Sequence, residues 1–193
     1  GRYIEYLVHK KIRDIWKSED KDFTPWLVEN INLLNEDIGL NIQDLKRESR
    51  LLNFIVDIVA EDEEGKVIIE NQFHNSNHDH LGKILTYLSN VEGTKKAIWI
   101  VEHAKTEHKN AIEWLNQNVQ TCSFYLVKIQ LFKIANSPIA SKFDLVSGPS
   151  VNTKAIGKMK QADSERHKAR LRFWTLFLER IAKHTKLYSN ITP

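Results

Sequence analysis

The chain has 193 residues, 41% hydrophobic and 27% charged, which is enough for one compact domain with an appended element but not for two full domains. A globule of this size buries about 70% of its unfolded surface and needs no staple. The single cysteine, Cys122, excludes a disulfide framework and any paired-cysteine zinc or redox site. The formal charge of +3 conceals an asymmetry: residues 151–193 carry ten Lys/Arg against three acids, a net +7, and the first 150 residues are net −4.

A basic tail on an acidic body suits contact with a polyanion, and a solvated helix face accounts for the charge run equally well. No apolar run approaches about 18 residues and no signal-peptide pattern occurs, so neither a membrane span nor secretion is supported. With one cysteine, a reducing, cytoplasmic compartment is expected.

The first clear element starts at Thr24, a capping residue followed by Pro25 at the first helical position. This helix is expected to run to about Asp37 and end on Gly39, with Leu27, Ile31 and Leu34 as its apolar stripe. An extended stretch follows over 41–49. Leu51–Ala60 and Val67–Phe73 are β-prone runs separated by the polar turn Glu61–Lys66, which reads as a hairpin. Ser76 or Asn77 can cap a helix over 79–91. A strand over 95–102, a helix over 106–119 with Ala111, Trp114 and Leu115 inward, strands over 123–134 and 143–146, and a last helix over 163–186 complete the order. Strands apolar on both faces predict an α/β fold, a mixed sheet with helices on both sides and an additional C-terminal helix.

Two carboxylates interrupt the apolar strands. Asp57 sits between Val56 and Ile58, and Glu70 follows Val67-Ile68-Ile69. A buried, unpaired carboxylate costs several kcal/mol, so each requires a partner. With the hairpin in register, Asp57 and Glu70 lie on neighbouring strands and share a face, while Gln72 lies roughly 6.6 Å beyond Glu70 on that face. Two converging carboxylates need a proton or a cation between them, and Mg²⁺ or Mn²⁺ with oxygen ligands meets that need. Pairing of either residue with a buried Lys or Arg is the structural alternative. His74, His78 and His80 with Asp79 form a dense cluster whose geometry is wrong for zinc, because residues two apart on a helix diverge. Phosphate contact near a helix N-terminus, or capping, suits them better. No P-loop, GxGxxG or GxSxG motif occurs.

Asp57 on one strand, then Glu70-Asn71-Gln72 on the next, after a leading helix and before another, resembles the PD-(D/E)XK nuclease superfamily. Phe23-Thr24-Pro25-Trp26-Leu27, Glu48, Ile69-Glu70-Asn71-Gln72 and His78-Asp79-His80-Leu81-Gly82 are similar to a prokaryotic group in which such a module precedes a second domain. The resemblance covers about residues 20–150 and implies a restriction-endonuclease-like domain over 1–150, followed by a basic helical segment over 151–193 that leads toward a further domain. It further implies metal-dependent hydrolysis of phosphodiester bonds in DNA, with RNA not distinguished from it. Asp57 and Glu70 would hold Mg²⁺ or Mn²⁺, and Glu48 would complete the shell. Gln72, standing where the superfamily has lysine, would position the water, although glutamine supplies neither charge nor a base. Lys83 from the following helix is a substitute source of charge. Glu29, the helix glutamate of many members, projects away from the apolar stripe and is expected in solvent. His78, His80, Lys83, Lys158, Lys160 and Arg166 are the nucleic-acid-binding candidates. Homodimers are common among such nucleases, because a double-strand cut needs two sites. The competing reading, kept open by Gln72, is a catalytically degenerate module of the same fold that binds nucleic acid or a protein.

Overall fold

The computed structural model describes residues 3–51, 54–150, 166, 168–173 and 175–177. Seven strands form one sheet in the order β1-β6-β5-β4-β3-β2, with β7 also paired to β6. They are β1 (Leu7–Lys10), β2 (Gln43–Leu51), β3 (Phe54–Asp62), β4 (Gly65–Asn75), β5 (Thr94–His103), β6 (Ser123–Ile134) and β7 (Ala140–Ser147). β4, β5 and β6 are parallel neighbours and every other pairing is antiparallel, so the sheet is mixed as expected.

Parallel neighbours require crossovers. α4 (His78–Asn90) joins β4 to β5 and α5 (Thr106–Asn118) joins β5 to β6. Their buried residues, Ile84 and Tyr87 on α4 and Ile112 and Leu115 on α5, pack with Ile68, Ala97, Trp99, Phe124 and Leu126 on one face of the sheet. The alternate strand residues Val67, Ile69, Ile98, Ile100, Val127 and Ile129 face the other way, onto Ile12, Trp16, Phe23, Leu27 and Leu34. The period of two thus fills two cores, one on each face, which is why these strands read as nearly continuous apolar runs.

The N-terminal region departs from expectation. Residues before Thr24 form β1, α1 (Ile12–Ile15) and a π-helical turn (Glu19–Phe23) that runs directly into α2 (Thr24–Glu29). The helix expected over 24–37 breaks at Asn30 (φ −121°, ψ 28°), and α3 (Ile31–Ile38) continues to Gly39 in the left-handed conformation, φ 69°. Asn30 turns its side chain onto the Trp26 carbonyl at 2.8 Å, taking over an acceptor that a continuous helix would use. Trp114, expected inward, is 61% exposed. The buried residues of α5 are His108, Ile112, Leu115 and Asn116, and Trp114 lies well over a quarter turn from their stripe.

Asn116 fixes α5 to the sheet. It is fully buried, donating to the Phe124 carbonyl (2.8 Å) and accepting the Phe124 N–H (2.9 Å). Asn116→Ala is expected to destabilise by about 2–3 kcal/mol, because both Phe124 groups lose their partner in a closed site. Chemical denaturation checks this, and a midpoint unchanged at constant slope would refute it.

Among the described residues, no helix is long and apolar enough to cross a membrane. Of the basic segment, residues 166, 168–173 and 175–177 are helical and exposed. Lys158 and Lys160 lie outside the described residues.

Candidate active site at the parting of two strands

The β3–β4 ladder runs from Asp62 opposite Gly65 to Ile58 opposite Ile69 and ends there. The next residues on the two strands are Asp57 and Glu70, so they face each other where the strands part. The backbone N–H of Asn71 is met by a side chain, donating to Oδ2 of Asp57 at 2.8 Å. Val56 packs with one core and Ile58 with the other, although residues two apart on a regular strand share a face. Asp57 therefore occupies a local twist in β3. The site lies toward the carboxyl ends of β4 and β5, beside the start of α4, a usual place for a site in an α/β sheet.

Glu70 is 3% exposed. Burial, and then the negative charge of Asp57, push its carboxyl up to about 8, while Lys83 on α4 opposes them. Asp57 is also raised by burial, offset by the Asn71 N–H and by its hydrogen bond with Glu70. The pair therefore shares a proton near neutral pH, carried mainly by Glu70. Among the described residues, no ion pair within 4 Å neutralises either one, so pairing with a buried Lys or Arg does not account for them.

The charged neighbours of Asp57 are Glu70, Asp20 and Lys83. Asp20, an exposed residue of the π-helical turn, is the third carboxylate of this neighbourhood. Its only sequence signal was the acidic run Glu19-Asp20-Lys21-Asp22 ahead of Thr24. Glu48 stands across from Asp57 in the β2–β3 register, between the pairs Arg47–Ile58 and Ser49–Val56. It is exposed, in the left-handed conformation (φ 44°), and is not among the groups that set the Asp57 charge environment. Glu29 is exposed, as expected.

Gln72 is 5% exposed and its carboxamide is committed to the fold. Nε2 donates to the Asn75 carbonyl at 2.9 Å, and Oε1 accepts from the Asn77 N–H (3.3 Å) and from Trp99 Nε1 (3.2 Å). Those are three of the four hydrogen bonds that a carboxamide can make. They tie β4 to the turn that starts α4.

Just beyond, the β4–β5 register shifts between Gln72 and Asn75, and His74 adopts φ 67°. Two further carboxylates take the backbone N–H groups this irregularity frees. Glu19 accepts from Phe73 at 2.8 Å and Glu102 accepts from His74 at 3.0 Å. His74 Nε2 lies 2.9 Å from the Arg13 guanidinium, which also covers the Phe73 ring.

The histidines of the cluster separate in role. Asn77 caps α4 by accepting the His80 N–H (3.1 Å) and lies 3.0 Å from His80 Nδ1. Partial burial and then Lys83 hold His80 below the ordinary imidazole range. His78 points instead to His108 on α5, 2.7 Å away. Arg166 is exposed on the C-terminal helical segment. Among the described residues, no group of three or more His, Cys, Asp or Glu is arranged to hold a metal alone.

No family model and no curated protein matches this sequence. Solved structures similar to it include the following three. A repair endonuclease from Pyrococcus abyssi aligns at 15% identity and a TM-score of 0.43 over 51% of this chain and 44% of its own. An EndoMS–double-stranded DNA complex aligns at 14% identity and a TM-score of 0.41 over 48% and 39%. Pyrococcus furiosus SfsA in complex with Ca²⁺ aligns at 15% identity and a TM-score of 0.34 over 64% and 60%. The chain spans less than half the length of the first two, and its α/β architecture is a mixed sheet flanked by helices on both faces.

Proposed function

We propose that the protein is a metal-dependent nuclease of the PD-(D/E)XK type that hydrolyses phosphodiester bonds in DNA. The observation that carries this reading is the opposed pair of half-buried Asp57 and buried Glu70 where two strands part, with no basic side chain paired to either among the described residues. A structural carboxylate would have been matched or replaced, because an uncompensated buried charge is costly. Strongly perturbed acids of this kind concentrate at functional sites.

The donor set fits a hard divalent cation. Both donors are carboxylate oxygens, and a cation would replace the proton that the pair now holds. Two carboxylates without a third protein ligand suit Mg²⁺, which keeps waters and takes substrate phosphate oxygens in its remaining positions. When bound, Mg²⁺ or Mn²⁺ polarises the scissile phosphate and eases deprotonation of a coordinated water. The chain's own residues do the rest. The Asn71 N–H orients Asp57, and Lys83 offers a positive charge to the reacting phosphate. Gln72 holds the turn in place, so on this reading the charge that the superfamily lysine supplies comes from Lys83 and the water-positioning role leaves Gln72.

The test is incubation of supercoiled plasmid DNA, with RNA in parallel, with the wild-type chain and Mg²⁺ or Mn²⁺. Nicking or linearisation abolished by EDTA is expected. Retained DNA binding with no cleavage under either metal would favour the degenerate binding module, and neither binding nor cleavage would refute both.

A further inference from the structure

A hydrogen-bonded chain joins the turn after β4 and the first residue of α4 to α5. Ser76, fully buried, accepts the Lys105 N–H at 3.0 Å, and its Oγ lies 2.6 Å from Nδ1 of His108. His108 is 1% exposed, packs against the Trp99 ring, and lies 2.7 Å through Nε2 from Nδ1 of His78. His78 is exposed at the first position of α4, and its Nε2 has no partner among the described residues.

Counting hydrogens gives this chain one direction. The Ser76 oxygen accepts from Lys105, so its own hydrogen is free for His108 Nδ1. A neutral imidazole that accepts at Nδ1 carries its hydrogen on Nε2. That hydrogen points at His78 Nδ1, which must accept, and His78 then carries its hydrogen on Nε2, toward solvent. The reverse assignment leaves the Ser76 hydrogen with no acceptor in a site closed to water. Burial, and then the adjacent His78, hold His108 below the ordinary imidazole range, against the pull of Glu107 and together with Lys105.

We propose that Ser76 and His108 are positioning residues that hold His78 as its neutral Nε2–H tautomer, so that it presents a fixed ring N–H to a phosphate oxygen of the polynucleotide. The ligand rests on the nuclease reading; the tautomers do not. Two features place His78 for that task. It stands in the first turn of a 13-residue helix, where free N–H groups and the helix dipole favour an anion. Lys83, which acts on both carboxylates, lies five residues on, about 7.5 Å along the helix axis. Phosphates recur about every 3.4 Å of axis along one DNA strand, so a strand with its scissile group near Lys83 offers further phosphates to the same helix. A ring that exchanged tautomers would donate there only part of the time.

Ring ¹⁵N NMR of the full chain in EDTA at neutral pH reads the tautomers directly. Both His78 and His108 are expected to show the Nε2–H pattern, and an Nδ1–H or averaged pattern at either ring would overturn the positioning. In Ser76→Ala, His78 is expected to move to a tautomer mixture while His80 stays unchanged. Should that variant fail to fold, the wild-type spectrum decides alone. Binding of a fluorescein-labelled DNA duplex is measured in an Asp57→Asn background, which separates binding from cleavage. His78→Ala is expected to weaken binding about tenfold, the effect of one hydrogen bond to a charged acceptor. His78→Gln, which keeps a donor, is expected to restore it. Unchanged binding by His78→Ala overturns the phosphate contact. Absence of duplex binding by the parent overturns the contact and the nuclease reading together, whatever the tautomers show.

Discussion

Glu70→Gln is expected to abolish cleavage and, in the same molecule, to stabilise the metal-free protein. The folded state holds the Glu70 proton up to about pH 8, against an ordinary value of 4.5, because burial and Asp57 penalise the charge. Between those two pH values the unfolded chain has released this proton and the native state has not. Native protein therefore binds more protons, and stability falls as pH rises through that window. Glutamine has no proton to lose and removes this slope. In EDTA near pH 8 the variant is expected to gain about 1–3 kcal/mol, a rise of several degrees in melting temperature, and near pH 4.5 to differ little. Cleavage is expected to fall at least about a hundredfold, since a neutral amide is a poor ligand for a hard cation. Melting curves at both pH values check the first claim, and identical slopes in the two proteins would sink it. Added Mg²⁺ is expected to stabilise the wild type more than the variant, because a ligand stabilises only the state that binds it.

Lys83→Ala and Gln72→Ala are expected to fail in opposite ways. Lys83 is exposed, so its truncation is expected to cost no more than about 0.5 kcal/mol of stability. Its charge acts on both carboxylates, and losing it is expected to lower the cleavage rate about 10²- to 10³-fold, the scale of one electrostatic contact to a developing charge. Gln72→Ala strips partners from the Trp99 indole N–H, the Asn77 N–H and the Asn75 carbonyl. About 3 kcal/mol of destabilisation is expected, with the rate per folded molecule nearly retained. Unfolding curves paired with single-turnover cleavage separate the two. A stable, inactive Gln72→Ala with an active Lys83→Ala would return the water-positioning role to Gln72.

Those paired tests reflect how unevenly the site was legible in the chain. Asp57 and Glu70 stood out because a charge inside an apolar β run conflicts with burial, and that conflict is local. Their opposition followed from the hairpin, whose turn sets the register. Gln72 stood out for its position in the motif, yet its role depends on Asn75, Asn77 and Trp99, and the last of these comes from a different strand. Asp20 gave no comparable signal. An acidic run before a helix reads as solvated surface until the π-helical turn sets it beside β3. Glu48 shows the converse: register puts it opposite Asp57, and a left-handed backbone leaves its side chain exposed.

The amino-acid sequence by itself determined the parts that follow from periodicity. These are the order of most strands and helices, a sheet apolar on both faces, the end of α3 at Gly39, and the two carboxylates as the anomaly to be explained. Only the tertiary structure decided which groups surround that anomaly. It decided that β3 and β4 part at Asp57, that helix α5 meets β6 through Asn116, and that Ser76 and His78 form one directed chain with His108, which lies on a different helix. Periodicity constrains a residue's face through its own neighbours along the chain. Hydrogen-bond partners and electrostatic neighbours are set by residues tens of positions away, and a single sequence does not encode those distances locally.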